Sequence, residues 1–139
     1  MRKYIHKSAN LGGIPRTSGI KGLLLVGERS SICPRCWFGG REVVKIGNDV
    51  TVSKGCSFIT GSFNPEAYLF SGHRMHGYKP ITIGNHVWIA SNVTILGGVT
   101  IADNIIIAAG AVVNKDLPDS YAVYAGVPAK KVKQYYKPG

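Results

Sequence analysis

The sequence predicts an all-β fold, and within that class a parallel β-solenoid. Three observations carry that prediction. Between 83 and 118 the chain divides without a slip into six-residue blocks: IGNHVW, IASNVT, ILGGVT, IADNII, IAAGAV and VNKDLP. An Ile or Val opens every block, and the fifth place holds Val87, Val93, Val99, Ile105, Ala111 and Leu117. The second to fourth places are mostly small or turn-forming residues, where a chain can bend.

A helix cannot produce this pattern. Residues six apart on a helix are turned by roughly 240° net, so one column would spread over three faces. A strand can produce it. The fifth place of one block and the first of the next are two residues apart and share a strand face. Each block is then a short strand and a corner. Stacked corners enclose an interior filled by the two apolar columns.

Upstream the same phase returns less perfectly. VGERSS, ICPRCW and FGGREV cover 26–43, and IGNDVT, VSKGCS and FITGSF cover 46–63, with two extra residues between the groups. From 63 to 83 the repeat lapses, which predicts a loop, about 64–79, extruded from the solenoid. Such loops on a rigid scaffold often carry function. The segment 119–139, DSYAVYAGVPAKKVKQYYKPG, leaves the repeat and reads as a short basic tail. Residues 1–139 read as a single solenoid domain.

Composition bounds the partners. The chain is 45% hydrophobic and 17% charged, with 18 glycines and a net charge of +10, which favours anionic partners. No nucleic-acid motif accompanies the charge, so no nucleic-acid partner is expected. The start, MRKYIHKSANLGGIPR, has no apolar signal region. LLLV at 23–26 is too short to span a bilayer, so no membrane span and a cytoplasmic location are expected. Cys33, Cys36 and Cys56 lack the partners of a disulfide framework or a structural zinc site. Cys36 and Cys56 fall in the inward fifth column and read as packing residues.

The blocks, followed by VWIASNV, ILGGVTIADN, IIAAGAVV, KDLP and AGVPAK, resemble the hexapeptide-repeat acyltransferases. The likeness is to galactoside and maltose O-acetyltransferases and to polysaccharide and xenobiotic acetyltransferases. It runs without a gap from Pro80 to Lys133, holds moderately over 46–63, and over 1–45 extends only to the repeat. The resemblance implies a left-handed parallel β-helix and a homotrimer with active sites at the subunit clefts. It implies acetyl-coenzyme A as donor, no metal, and transfer to a hydroxyl of a sugar, glycan or small xenobiotic. A histidine would act as general base, which suits an imidazole near its natural pKa. Carried over residue by residue, the coenzyme contacts are Ser91, Ala109, Asn114, Lys130 and Lys133. The two lysines stand where the sugar enzymes have Arg, which keeps charge and loses the bidentate fork. Trp88 matches the family's Trp and reads as a packed corner or interface aromatic.

The catalytic position departs from that family. The sugar acetyltransferases carry their histidine just after TG or TGS, and the aligned residue here is Phe63, which cannot accept a proton. SGHRMHG at 71–77 resembles the NHRMDG-like motif of the xenobiotic enzymes, with His73 at the base position. His76 is the second candidate. His86 reads as an ordinary corner residue, and His6 lies in a stretch without a motif. Asn64, Glu66, Tyr68 and Arg74 share the loop as possible acceptor contacts. Phe63 also motivates a second class of function, a non-catalytic relative kept for assembly or binding. A third is a γ-carbonic-anhydrase-like metal site drawn from His73, His76 and His86, whose spacing does not resemble that family.

Overall fold

The structure, a computed structural model, describes residues 2–12, 16–17 and 23–138. Among the described residues the chain winds through five coils of three short strands. They are β1 (Arg2–Ile5), β2 (Asn10–Leu11) and β3 (Arg16–Thr17); β4 (Leu23–Val26), β5 (Ser31–Ile32) and β6 (Trp37–Gly39); and β7 (Val43–Ile46), β8 (Thr51–Val52) and β9 (Ser57–Ile59). After an excursion come β12 (Ile81–Ile83), β13 (Val87–Ile89) and β14 (Thr94–Leu96), then β15 (Thr100–Ile101), β16 (Ile105–Ile107) and β17 (Val112–Val113). Each strand pairs in parallel with its counterpart one coil away, so the three positions stack into three sheets. The first sheet runs β1-β4-β7-β12-β15 and the third β17-β14-β9-β6-β3. The second sheet runs through β16, β13, β8, β5 and β2, and gains β18 (Ala122–Ala125) and β19 (Lys130–Gln134).

The two repeat columns form the core. Val87, Ile89, Val93, Ile95, Val99, Ile101, Ile105, Ile107, Ala111, Val113 and Leu117 are all buried. Upstream, Val26, Ile32, Phe38, Ile46, Val50, Val52 and Phe58 join them, and Phe38 stacks on Phe58 with ring centroids 4.8 Å apart. Cys36 and Cys56 are buried in the inward column as expected. Ser30 takes an inward place because its hydroxyl is fully used. It donates to the Gly47 carbonyl at 2.6 Å and accepts from the Val50 N–H at 3.0 Å.

The corners follow a finer rule than small residues alone. The fourth place of a block sits in the left-handed region at Arg29, Asp49, His86 and Asn104, as does Tyr121 on the next coil. These five stack along the first corner, between the first and second sheets. Third-place side chains there bond from coil to coil. Asn48 Oδ1 accepts from the Glu28 N–H, Asn85 Oδ1 from the Asn48 N–H, and Asp103 Oδ1 from the Asn85 N–H, at 2.7–2.8 Å. Gly27, Gly47 and Gly84 leave the space these side chains cross.

The tail is more ordered than a departure from the repeat implies. β18 continues the second sheet in parallel on β16, with Ala122 and Tyr124 pointing inward. β19 then folds back antiparallel and ends the sheet. The alternation Ala122–Val123–Tyr124 gives the strand its inward face, although the six-residue phase has ended.

Candidate active site

The expected loop is a hairpin with a helical tip. β10 (Gly61–Phe63) and β11 (His76–Tyr78) pair antiparallel and enclose α1 (Pro65–Ser71). Its root is tight. The buried Thr60 hydroxyl donates to the Gly39 carbonyl at 2.7 Å, and the Thr60 carbonyl accepts from the Lys79 N–H at 3.0 Å. Asn64 caps α1, accepting the Ala67 N–H at 2.9 Å, and Pro65 follows where its missing N–H costs nothing. Gly72 ends the helix at φ 68°, a left-handed cap.

This geometry separates the two loop histidines. His73 lies just past the helix cap, exposed, its backbone N–H 3.4 Å from the Ala67 carbonyl. His76 is back on the hairpin, directly across from Phe63 in the strand register. The two rings meet edge to face at 4.8 Å, and Gly61, Ser62, Phe63 and His76 line a cleft of about 350 Å³. The aromatic contacts continue on both sides. Tyr68 stacks on Phe63 at 6.1 Å, Tyr78 on His76 at 6.3 Å, and the Arg41 guanidinium lies 5.9 Å from the Tyr78 ring centre.

The expected coenzyme contacts lie elsewhere. Ser91 and Ala109 stack on successive coils of the second corner, between the second and third sheets, where the Gly110 N–H donates to the Ser91 carbonyl at 3.0 Å. A side chain at Gly110 would meet nothing within 4 Å, so this strip is low and open. Lys130 pairs with Ala125 at the same end of the second sheet and continues the strip. Lys133 is further along β19, opposite Val123, with its ammonium 5.6 Å from the Tyr135 ring centre. Asn114 follows β17 at the third corner, the edge from which the hairpin leaves. Ser91, Ala109 and Lys130 thus share a corner. The hairpin stands across the third sheet from them, and one chain does not bring the two groups together.

A groove of about 450 Å³ is on the outer face of the second sheet. Trp88, Ile106 and Val123 form its floor, with Tyr121 and Tyr135 beside them. Trp88 is exposed, and its Nε1–H donates to Ser53 Oγ at 3.4 Å. His86 borders the groove at the first corner, Nδ1 2.7 Å from Asn104 Oδ1, at the opposite edge of the first sheet from the hairpin. The three candidate metal histidines therefore do not converge within one chain, and among the described residues no cluster of metal ligands occurs. Along the same corner Asp49 grips Arg29 through two oxygens, at 2.7 and 2.9 Å, which holds the Asp49 carboxyl below its ordinary range.

Comparison with known proteins agrees with the fold. The bacterial transferase hexapeptide family (six repeats) matches residues 80–115. A polysialic acid O-acetyltransferase of Escherichia coli O1:K1 / APEC is 36% identical over 94% of this chain and 42% of its own length. The galactoside O-acetyltransferase of Escherichia coli K12 is 40% identical over 66% of this chain and 44% of its own length. The chain spans less than half the length of these two relatives. Among solved structures, a hexapeptide-repeat acetyltransferase of Vibrio cholerae complexed with acetyl-coenzyme A superposes with a TM-score of 0.82 at 26% identity. That match covers 97% of this chain and 72% of that one. The chain carries the six-residue repeat of that family over 80–115, and its likenesses are to hexapeptide-repeat acetyltransferases.

The sequence alone did not single out Arg41, Tyr78 or the pairing of Phe63 with His76. Three-residue strands that each contain a Gly carry too little alternation to be read as a hairpin. The Asn-Pro-Glu at 64–66 was a legible helix start.

Proposed function

We propose that the chain transfers the acetyl group of acetyl-coenzyme A to a hydroxyl of a sugar, glycan or small xenobiotic, acting as a homotrimer. The observation that supports this most is the hairpin itself. It carries two histidines out of a solenoid that superposes on an acetyl-coenzyme A-bound acetyltransferase. The corner of Ser91, Ala109 and Lys130 fits the donor. Its low side chains leave room for a thin pantetheine arm, its backbone offers polar groups, and its lysine offers charge for phosphate. Since hairpin and corner stand at opposite edges of the third sheet, the hairpin of one copy would serve the corner of the next. The apolar outer face of the second sheet is then a surface for such contacts.

Bound acetyl-coenzyme A would supply the acetyl group as a thioester. A neutral imidazole on the hairpin takes the proton from the acceptor hydroxyl as its oxygen attacks the thioester carbonyl. The same imidazolium returns the proton to the departing sulfur, leaving the free thiol and the acetyl ester. Lys130 and Lys133 orient the donor, with Ser91 and Ala109 on the wall of the site, and Asn114, at the hairpin's corner, would reach the donor held by the neighbouring copy.

The base is His73 on the strength of SGHRMHG. His76 is the second reading, favoured by its place opposite Phe63 on the cleft. Thiol release with acetyl-coenzyme A over a panel of sugars, amino sugars and antibiotics tests the activity. His73→Ala and His76→Ala then assign the base, with a loss of about 10²–10⁴-fold expected in one of them. Turnover unchanged in both would remove the loop histidines from the chemistry. Failure to bind coenzyme A would leave the non-catalytic reading, which Phe63 motivates.

A further inference from the structure

We infer that the acceptor is a glycan bearing an oxyanion, and that Arg41 holds that anion. The inference rests on the acetyl-transfer reading and names the acceptor class for the same cleft. Arg41 is exposed at the third corner, one coil from the hairpin root. Its guanidinium lies over the Tyr78 ring at 5.9 Å, and no carboxylate is within ion-pair distance of it among the described residues. Arg29 is the contrast: Asp49 and Glu28 occupy its donors. Glu42, the acid next to Arg41, instead accepts the Val43 N–H at 2.9 Å.

A guanidinium that lies over an aromatic ring and has no carboxylate partner keeps its N–H donors free for a ligand. It is also weakly hydrated and shaped for bidentate contact with a carboxylate or phosphate. The Tyr78 ring stacks in turn on His76, and His76 faces Phe63 across the cleft. The row Arg41–Tyr78–His76–Phe63–Tyr68 thus joins an unpaired cation to a line of rings along the hairpin. The remaining charge agrees. From 60 to 80 the chain holds Arg74 and Lys79 against the single acid Glu66, within a net charge of +10. Arg41 is two ring steps from the cleft, at 5.9 and 6.3 Å, so the anion it binds is on a different part of the acceptor from the reacting hydroxyl. An oligosaccharide meets that demand, with its rings lying along the aromatic row.

The experiment compares three acceptors on the intact protein: a carboxylated oligosaccharide, the same oligosaccharide after carboxyl reduction, and its phosphorylated counterpart. Thiol release reads turnover, and calorimetric titration of each oligosaccharide reads binding without turnover. The anionic forms should have KM and Kd at least about tenfold below the reduced form, a preference that one charge-assisted contact supplies. The preference should shrink as salt rises, since Arg41 is exposed. Whichever anion shows it identifies the source. In Arg41→Met the preference should collapse towards one, and in Arg41→Lys it should be partly kept. Equal KM and Kd for all three acceptors would overturn the inference while leaving acetyl transfer intact. So would a preference that Arg41→Met leaves unchanged. Failure of acetyl transfer with every acceptor defeats the reading beneath it, and the titrations still decide whether Arg41 selects an anion.

Discussion

Replacing Gly47 by alanine tests the corner geometry on which every other placement depends. A Cβ built there lies 2.5 Å from Asn85 Oδ1, 2.5 Å from the Gly84 carbonyl oxygen and 2.8 Å from the Gly84 carbonyl carbon. Two of those atoms are backbone and cannot swing aside. Relief requires either parting coils that stack about 4.8 Å apart or pushing Asn85 away from the Asn48 N–H it accepts at 2.8 Å. Overpacking of this kind costs about 1–3 kcal/mol and the lost bond about 1 kcal/mol more. The stiffer unfolded chain returns roughly 0.4–1 kcal/mol. The net is about 1–3.5 kcal/mol, or a fall of roughly 1 M in the urea midpoint. Gly77→Ala is the control, because its Cβ would meet nothing closer than Ser62 Oγ at 3.8 Å. Equilibrium urea unfolding of both variants gives the answer. If Gly47→Ala unfolds at the same midpoint as Gly77→Ala, the coils are not stacked as closely as the ladder of Asn48, Asn85 and Asp103 requires.

Phe58→Ala removes one half of the stacked pair with Phe38 and should cost about 3–5 kcal/mol by the same unfolding measurement. Alkylation of the native protein, followed by peptide mass mapping, should label Cys33 first, because Cys36 and Cys56 are buried; equal rates at all three would contradict their inward placement. Lys130→Ala should raise KM for acetyl-coenzyme A several-fold at low salt and less at high salt, since the residue is exposed. Asp49 should titrate below an ordinary aspartate in an NMR pH series. Its folded value is depressed, so the Arg29–Asp49 contribution is present above the unfolded pKa and lost as pH falls through the folded one. Arg29→Met should return Asp49 to the ordinary range.

The interior was legible because the solenoid repeats one demand. The first and fifth places of each block must be apolar, and the sequence meets it from Val87 to Leu117 without exception. Cys36 and Cys56 could be placed for the same reason. The corners were legible only as small residues. Their left-handed fourth place falls on residues as different as Arg29, Asp49 and His86, so no single residue type announces it. β18 escaped because the six-residue phase ends before it, although Ala122 and Tyr124 keep the inward alternation. The hairpin was legible as an interruption, with bounds close to those observed, but its pairing was not. Nothing in the spacing of Phe63 and His76, thirteen residues apart, reveals that they face each other. The position of Arg41 against Tyr78 depends on the stacking of separate coils, which no local pattern records.

The hairpin leaves and re-enters the wall at almost one point, where Lys79 bonds back to Thr60 at 3.0 Å. The wall therefore closes beneath it: β9 and β14 stay paired, and so do β7 and β12. The excursion is a cassette, exchangeable for a longer or shorter one without disturbing the coils on either side. A lineage built on this frame can change what it modifies by rewriting some eighteen residues, while the surface that would receive its donor is inherited untouched.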